Sequence, residues 1–387
     1  MNKIITFVLF IAFTFSTAVA SSFTSKEERA LDISTITNCI HDTFYKVSRD
    51  FLKDNGLITD GTSLIDSKEA ERLATLAENA DYPEIYSEAG GSTGNSVVTL
   101  KNLGLDVCLI GTLADDPLAE SYKSSLEKKD ILYRPVPPQQ NELGSGTCTI
   151  FISKNENGGF DRAMYTSLGV SGDIQLSPEN IEEAGKAKCF LAEGYSFNNA
   201  TPRTSDSVRS VAAKTIANDN LVALTLSADF CVEFFLTQIQ AFITDYASIV
   251  IGNESEAKIL THTEDALSAV KRLKAQGKRG AITCGSRGAY AYDATGIYFI
   301  SCPNVDPTAV VDPTGAGDVF AAGLIYGLLA GKSIVEAGQI AALCAGEVIK
   351  VYGGHTHTSL AEIVSSGAAT SISFEKIEDN PFINSAL

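Results

Sequence analysis

From about Leu31 onward the chain alternates short, β-rich apolar runs with longer stretches whose apolar residues recur at helical spacing. That alternation predicts a mainly parallel sheet covered by helices on both faces, a three-layer α/β/α core. Core strands are expected at Leu31–Asn38, Asp106–Thr112, Lys188–Gly194, Leu221–Ser227, Ala247–Gly252 and Gly280–Gly285. Between them, Ala70, Leu73, Leu76 and Ala77 share one face of a helix over Ser67–Asn79, with Asp66 and Glu69 spaced for a capping box. A second helix, Asn95–Leu103, stops at Gly104, which suits a left-handed cap. Two places break the rhythm. Thr147–Ser153 and Arg162–Thr166 are strand-like runs joined by the polar, Gly-containing loop Lys154–Asp161, the pattern of a β-hairpin. With Thr43–Val47 and Ile85–Glu88 this hairpin predicts a small β lid inserted within residues 43–166. Residues 359–387 form a weakly patterned tail.

Composition narrows the picture. A chain of 387 residues, 44% apolar and 20% charged, suits one large α/β domain with a smaller appendage, here residues 31–358. Thirty Lys and Arg against 47 Asp and Glu give a formal charge of −17, with no segregated basic patch, which argues against nucleic acid as a partner. Eight cysteines sit mostly in apolar runs without CxxC spacing and read as buried, reduced thiols. Of the four histidines, His355 and His357 read as a solvated loop pair rather than metal ligands. Residues 1–20 combine Lys3, the apolar Ile4–Phe15 and the small residues Ala18–Ala20 in the manner of a signal peptide, too short for a stable membrane span. The unpaired thiols favour a cytoplasmic setting, whereas the leader-like segment favours an organelle or secretory route.

The most informative segment is Val311-Asp312-Pro313-Thr314-Gly315-Ala316-Gly317-Asp318, followed by an apolar helical run to Leu329. Glycines let backbone approach a ligand, and amides at a helix N-terminus stabilise an anion. A carboxylate beside such amides suits phosphoryl transfer, which needs charge stabilisation and a group to accept the hydroxyl proton. The same helix start favours an ionised Asp318. Gly327–Ser333 mimics a P-loop but has one residue too few between its glycines, and no GxGxxG follows the first strand, which weakens a dinucleotide-binding reading.

Asp312–Asp318 resembles the C-terminal signature of the PfkB family of carbohydrate and nucleoside kinases, which includes ribokinase, fructokinase and adenosine kinase. Gly90-Gly91-Ser92-Thr93-Gly94-Asn95 resembles its N-terminal Gly-Gly…Asn signature, Asn253–Glu256 its Asn-x-x-Glu motif, and Gly285–Gly288 its nucleotide-side glycine turn. The resemblance spans Leu31–Tyr352 and implies a ribokinase-like fold with a β lid over the acceptor. It implies ATP-dependent phosphorylation of a hydroxyl, expected to be primary, on a sugar or nucleoside, with an adenosine-kinase-like enzyme favoured. Asp318 would be the base and Gly315, Ala316 and Gly317 the anion-binding turn. Asp42, Gly91 and Asn95 would bind the acceptor, and Gly285, Gly288 and Thr314 the nucleotide. Asn253 and Glu256 would organise Mg²⁺ through water, although Asn253 could equally cap the helix that follows it. A monovalent cation is a further candidate cofactor, and either a monomer or a homodimer is compatible. Thr37 stands where the family usually has Gly. Ala342 stands where relatives often have Asn, and Ala341, Ala342, Leu343 and Ala345 could pack a helix or flank an adenine ring. The competing reading is a catalytically inactive binding or regulatory protein on the same fold.

Overall fold

The computed structural model describes residues 30–59, 61–140, 142–156, 160–198 and 202–377, so the signal-like segment 1–20 lies outside the described residues. Within the unit Leu31–Leu387, a sheet of ten described strands runs edge to edge as Phe374–Ile377, Gly296–Ile300, Ala289–Asp293, Arg279–Thr283, Ile249–Asn253, Leu221–Thr225, Cys189–Glu193, Ile33–Ile36, Val107–Gly111 and Leu132–Pro135. The last seven are parallel; the first three join antiparallel. Alternation along each strand feeds both layers, as a pleated strand requires. Ile33, Leu109 and Leu191 enter one core, and Ile36, Cys108, Ile110 and Phe190 the other. All six expected core strands form, each trimmed by up to two residues at an end or shifted by one or two. The Ala289–Asp293 and Gly296–Ile300 hairpin was not expected, nor was Phe374–Ile377, through which the weakly patterned tail closes the sheet edge.

The lid is a second sheet in the order Gly61–Leu64, Phe160–Ser167, Gly146–Lys154, Ile40–Lys46, Glu84–Gly90. Its outer face buries Tyr45, Phe151, Ala163 and Tyr165 against Leu73 and Ala77 of the helix Ser67–Asn79. Its inner face carries Ile40, Cys148, Ile150 and Met164. Asp66 caps the Ser67–Asn79 helix by accepting from the Glu69 amide, but only half of the expected capping box forms, because the Glu69 carboxylate turns to Arg72.

The helix Ala316–Leu329 carries the Gly315–Gly317 turn at its start and packs on Ile334–Val348 through glycines. A Cβ on Gly323 would lie 2.7 Å from the Ala341 Cα, and one on Gly327 2.6 Å from the Ala337 Cα. Ala341 is therefore spent in packing. The P-loop-like Gly327–Ser333 is the junction of these helices, where Ser333 and Glu336 form a capping box. All eight cysteines are free and seven are buried, whereas Cys302 is exposed just after the Gly296–Ile300 strand.

Leu73 is fully buried in the lid's outer core. Leu73→Ala is expected to cost about 2–5 kcal/mol of stability, measured by denaturant unfolding.

Candidate active site

The C-terminal ends of the parallel strands and the lid's inner face enclose a cleft of about 320 Å³, where open α/β sheets bind ligands. Asp318 stands in the first turn of Ala316–Leu329. Its Oδ1 accepts from Ser92 Oγ at 2.7 Å and its Oδ2 from Asn95 Nδ2 at 3.0 Å, while Ser96 Oγ donates to its carbonyl at 3.0 Å. Those partners lie in the first turns of the helix Ser92–Asn102, so two helix starts converge on one carboxylate. The Asn95 Oδ1 is buried without a protein partner. Gly315 has φ +72°, and a Cβ there would lie 2.6 Å from the Gly354 Cα. Of the turn's amides, Ala316 N makes a 3.3 Å bond to the Pro313 carbonyl. The Gly317 amide belongs to the first helical turn, whose N–H groups lack intrahelical acceptors.

At the lid side of the cleft, Asp42 lies within the lid strand Ile40–Lys46, buried, and a Cβ on Gly90 would sit 2.0 Å from its Oδ2. Gly91 takes φ +94°, where a Cβ would lie 2.3 Å from the Asn38 carbonyl. Behind the Gly315–Gly317 turn, the buried Asp312 accepts from the Thr314 amide and hydroxyl and from the Gly353 amide. Thr314 Oγ1 also accepts from Arg162 Nη1 of the lid at 3.3 Å.

Burial dominates the electrostatics. It pushes the Asp318 carboxyl up to about 7 against the opposing bonds from Asn95 and Ser92, so the fully ionised state expected from the helix start alone gives way to a carboxyl poised near neutrality in the free protein. Burial likewise raises Glu256 to about 7, and raises Asp42 well above its ordinary range with further help from Glu88, Asp318 and Asp312.

Comparison with known proteins decides the family: the model of the pfkB family carbohydrate kinases matches residues 61–360. The chain belongs to that family. It is 25% identical over 324 residues to the adenosine kinase of Saccharomyces cerevisiae, covering 78% of this chain and 91% of the yeast protein. Among solved structures, the adenosine kinase of Sinorhizobium meliloti superposes with TM-score 0.77 at 28% identity, covering 88% of this chain and all of that one. A probable sugar kinase of Rhizobium etli gives 0.78 at 28%, covering 88% and 99%. As a pfkB kinase the protein is a phosphotransferase acting on an alcohol group of a small sugar or nucleoside, and its fold is ribokinase-like.

The cleft gathers Asp42, Gly91, Asn95, Asn253, Glu256, Thr314, Gly315, Ala316, Gly317 and Asp318. Gly285 and Gly288 stand outside its lining, in the turn after the Arg279–Thr283 strand. Gly288 answers a packing demand, since a Cβ there would lie 2.3 Å from the Ile300 carbonyl. Asn253 does cap its helix: it closes a capping box in which its amide and side chain engage both Glu256 oxygens. One buried carboxylate and one amide, both hard oxygen donors facing the cleft, fit a Mg²⁺ that keeps its water shell. His355 is a correction. Instead of being solvated it is 3% exposed with Nδ1 2.7 Å from Glu88 Oε2, because the loop after Tyr352 folds in behind Gly315 and Gly354 N donates to the same Glu88 carboxylate. His357 is exposed.

Sequence reasoning missed Glu193, Tyr195 and Arg162. Glu193 ends a parallel strand, 1% exposed, and accepts from the Thr93 amide and hydroxyl, the Asn38 amide and Thr37 Oγ. A carboxylate closing an apolar strand was its available signal.

Because Asp318 is raised in the folded state, its protonated form stabilises the free protein at low pH, and this contribution is lost as pH rises through about 7. Asp318→Asn should therefore be more stable than the parent at pH 8, by on the order of a few kcal/mol, with the gain fading towards pH 4. Thermal melts across that range check it.

Proposed function

We propose that this kinase phosphorylates the primary hydroxyl of a nucleoside, with ATP as donor and Asp318 as general base. The carrying observation is the character of the acceptor end. Asp42, Asn95 and the Gly91 turn supply polar contacts suited to sugar hydroxyls, and beside them the lid presents Ile40, Leu64, Cys148, Ile150, Met164 and Leu168. A bare sugar offers such a wall only a small C–H face, whereas a nucleobase offers a broad apolar plane. The adenosine kinases among its relatives support the same reading.

In the proposed reaction Asp318 takes the acceptor hydroxyl proton as the oxygen attacks the γ-phosphorus, and ADP leaves. A base poised near neutrality combines an adequate ionised fraction with good proton affinity. Asn95 holds the carboxylate with Nδ2 and keeps Oδ1 for the acceptor. The first-turn amides of Ala316–Leu329 and the Arg162 guanidinium, the one Lys or Arg side chain among the described cleft residues, meet the phosphoryl charge. Asn253 and Glu256 would hold the hydrated Mg²⁺, which supplies charge neutralisation on the triphosphate. Gly285, Gly288 and Thr314 remain the proposed nucleotide-side contacts.

A panel of sugars and nucleosides assayed by ADP release tests the acceptor. Adenosine or a related nucleoside is expected to exceed ribose and fructose in kcat/KM by roughly 10²-fold, the worth of burying about 100 Å² of base. Preference for a bare sugar would reject the reading. On the best acceptor, Asp318→Asn should lower kcat by roughly 10² to 10⁴-fold with little change in ATP affinity. Glu256→Gln should shift the Mg²⁺ titration and slow turnover while acceptor binding holds; an unchanged titration would remove Glu256 from the metal shell.

A further inference from the structure

Tyr195 lies in the single turn Gly194–Phe197 that follows the strand Cys189–Glu193, and it lines the cleft together with Glu193, Asn253, Glu256 and Asp318. Its ring is fixed. It packs on Phe230 with centroids 5.8 Å apart, and the turn beneath it is pinned where Gly194 N donates to Ser227 Oγ at 2.9 Å. A Cβ on Gly194 would lie 2.3 Å from the Leu226 carbonyl, so the chain enters this turn in backbone contact with the neighbouring strand's exit. The Tyr195 side chain is half-buried where it lines the cleft, and its hydroxyl makes no hydrogen bond with the described residues.

We propose that the Tyr195 hydroxyl is a catalytic hydrogen-bond donor to the phosphoryl group in flight. In the transfer the acceptor oxygen forms its bond to phosphorus, the bond to the ADP oxygen breaks, and the acceptor proton passes to Asp318. Tyr195 exchanges no proton. It contributes a neutral donor where carboxylates from Glu193, Glu256 and Asp318 crowd the cleft and would repel an approaching phosphate. Burial and the neighbouring Cys231, Asp318, Glu193 and Glu256 all hold the phenol protonated, which keeps it a donor across the working pH range. A tyrosine rather than a second cation has a physical advantage here: it adds positive hydrogen to the transition state without forming an ion pair that would immobilise Asp318.

The inference rests on Asp318 being the base, and the test separates the two. Tyr195→Phe keeps the ring and its contact with Phe230 and removes one oxygen. With saturating ATP and the best acceptor, kcat is expected to fall roughly 10- to 100-fold, the usual loss of one donor to a developing charge. KM for both substrates should stay within about threefold, as expected when an interaction made only in the transition state is removed. Binding gives an independent readout. The affinity for ADP, Mg²⁺ and aluminium fluoride with acceptor, a mimic of the planar phosphoryl group, should weaken by a similar factor, while affinity for ADP alone is unchanged. A kcat within twofold of the parent together with undiminished aluminium fluoride affinity would overturn the role of Tyr195. Equal loss of affinity for ADP alone and for the mimic would also overturn it, since that pattern marks a structural defect. If Asp318→Asn retained parental turnover, the reading of the cleft on which the inference stands would fall first.

Discussion

Everything in the cleft is referred to the pair of hydrogen bonds that Ser92 and Asn95 make to Asp318. They join the starts of two helices that are distant in sequence, one entered from the lid strand Glu84–Gly90 and the other from the segment after Pro313. Bonds to a charged group are worth about 1.5–3 kcal/mol each, enough to orient a carboxylate that burial would otherwise drive toward its neutral form. The close glycine contacts follow from this junction. A Cβ on Gly354 would lie 2.5 Å from the Asn95 side chain, and one on Gly315 would meet Gly354, so Asn95, Gly315 and Gly354 form one packed stack. Glu88 ties that stack to the lid by accepting from Gly354 N and standing beside His355.

Much of this was legible in the sequence because it is locally encoded. Parallel strands buried on both faces announce themselves as continuous apolar runs, and three of the four ordered motifs carry glycines at positions of positive φ or close approach, as at Gly91 and Gly315. What escaped was settled by long-range packing. His355 looks polar and loop-bound until the chain places it against Glu88, 267 positions earlier in sequence. Tyr195 and Glu193 lie just beyond and at the end of an apolar strand, where nothing local distinguishes a cleft residue from a core residue. The strand Phe374–Ile377 is exposed along most of its length and carries no alternation to betray it. Asp42 was legible as a residue but not as part of a strand, because its neighbours His41 and Thr43 give no clear period.

An acidic chain that handles a polyanion faces an electrostatic conflict, sharpened by the carboxylates that line the cleft. The conflict is eased locally. Desolvation holds several of these groups partly neutral, Glu193 is covered by amide and hydroxyl donors, and helix-start amides offer positive charge that costs no reorganisation on binding. The net charge of the molecule is thus a poor guide to the potential met by a phosphate inside it.

The lid is built with two unlike faces: a tightly packed outer one closed by the helix Ser67–Asn79, and an inner one of aliphatic and sulfur side chains open to the cleft. Its hydrogen-bonded frame and outer core fix the sheet, so inner-face positions such as Leu64, Ile150 and Met164 can change shape without disturbing Asp318 or the turn before it. In the proposed reaction, acceptor range can therefore drift over evolutionary time, or be redesigned, by exchanging side chains on one wall. The reacting groups, contributed from the other side, would be inherited unchanged.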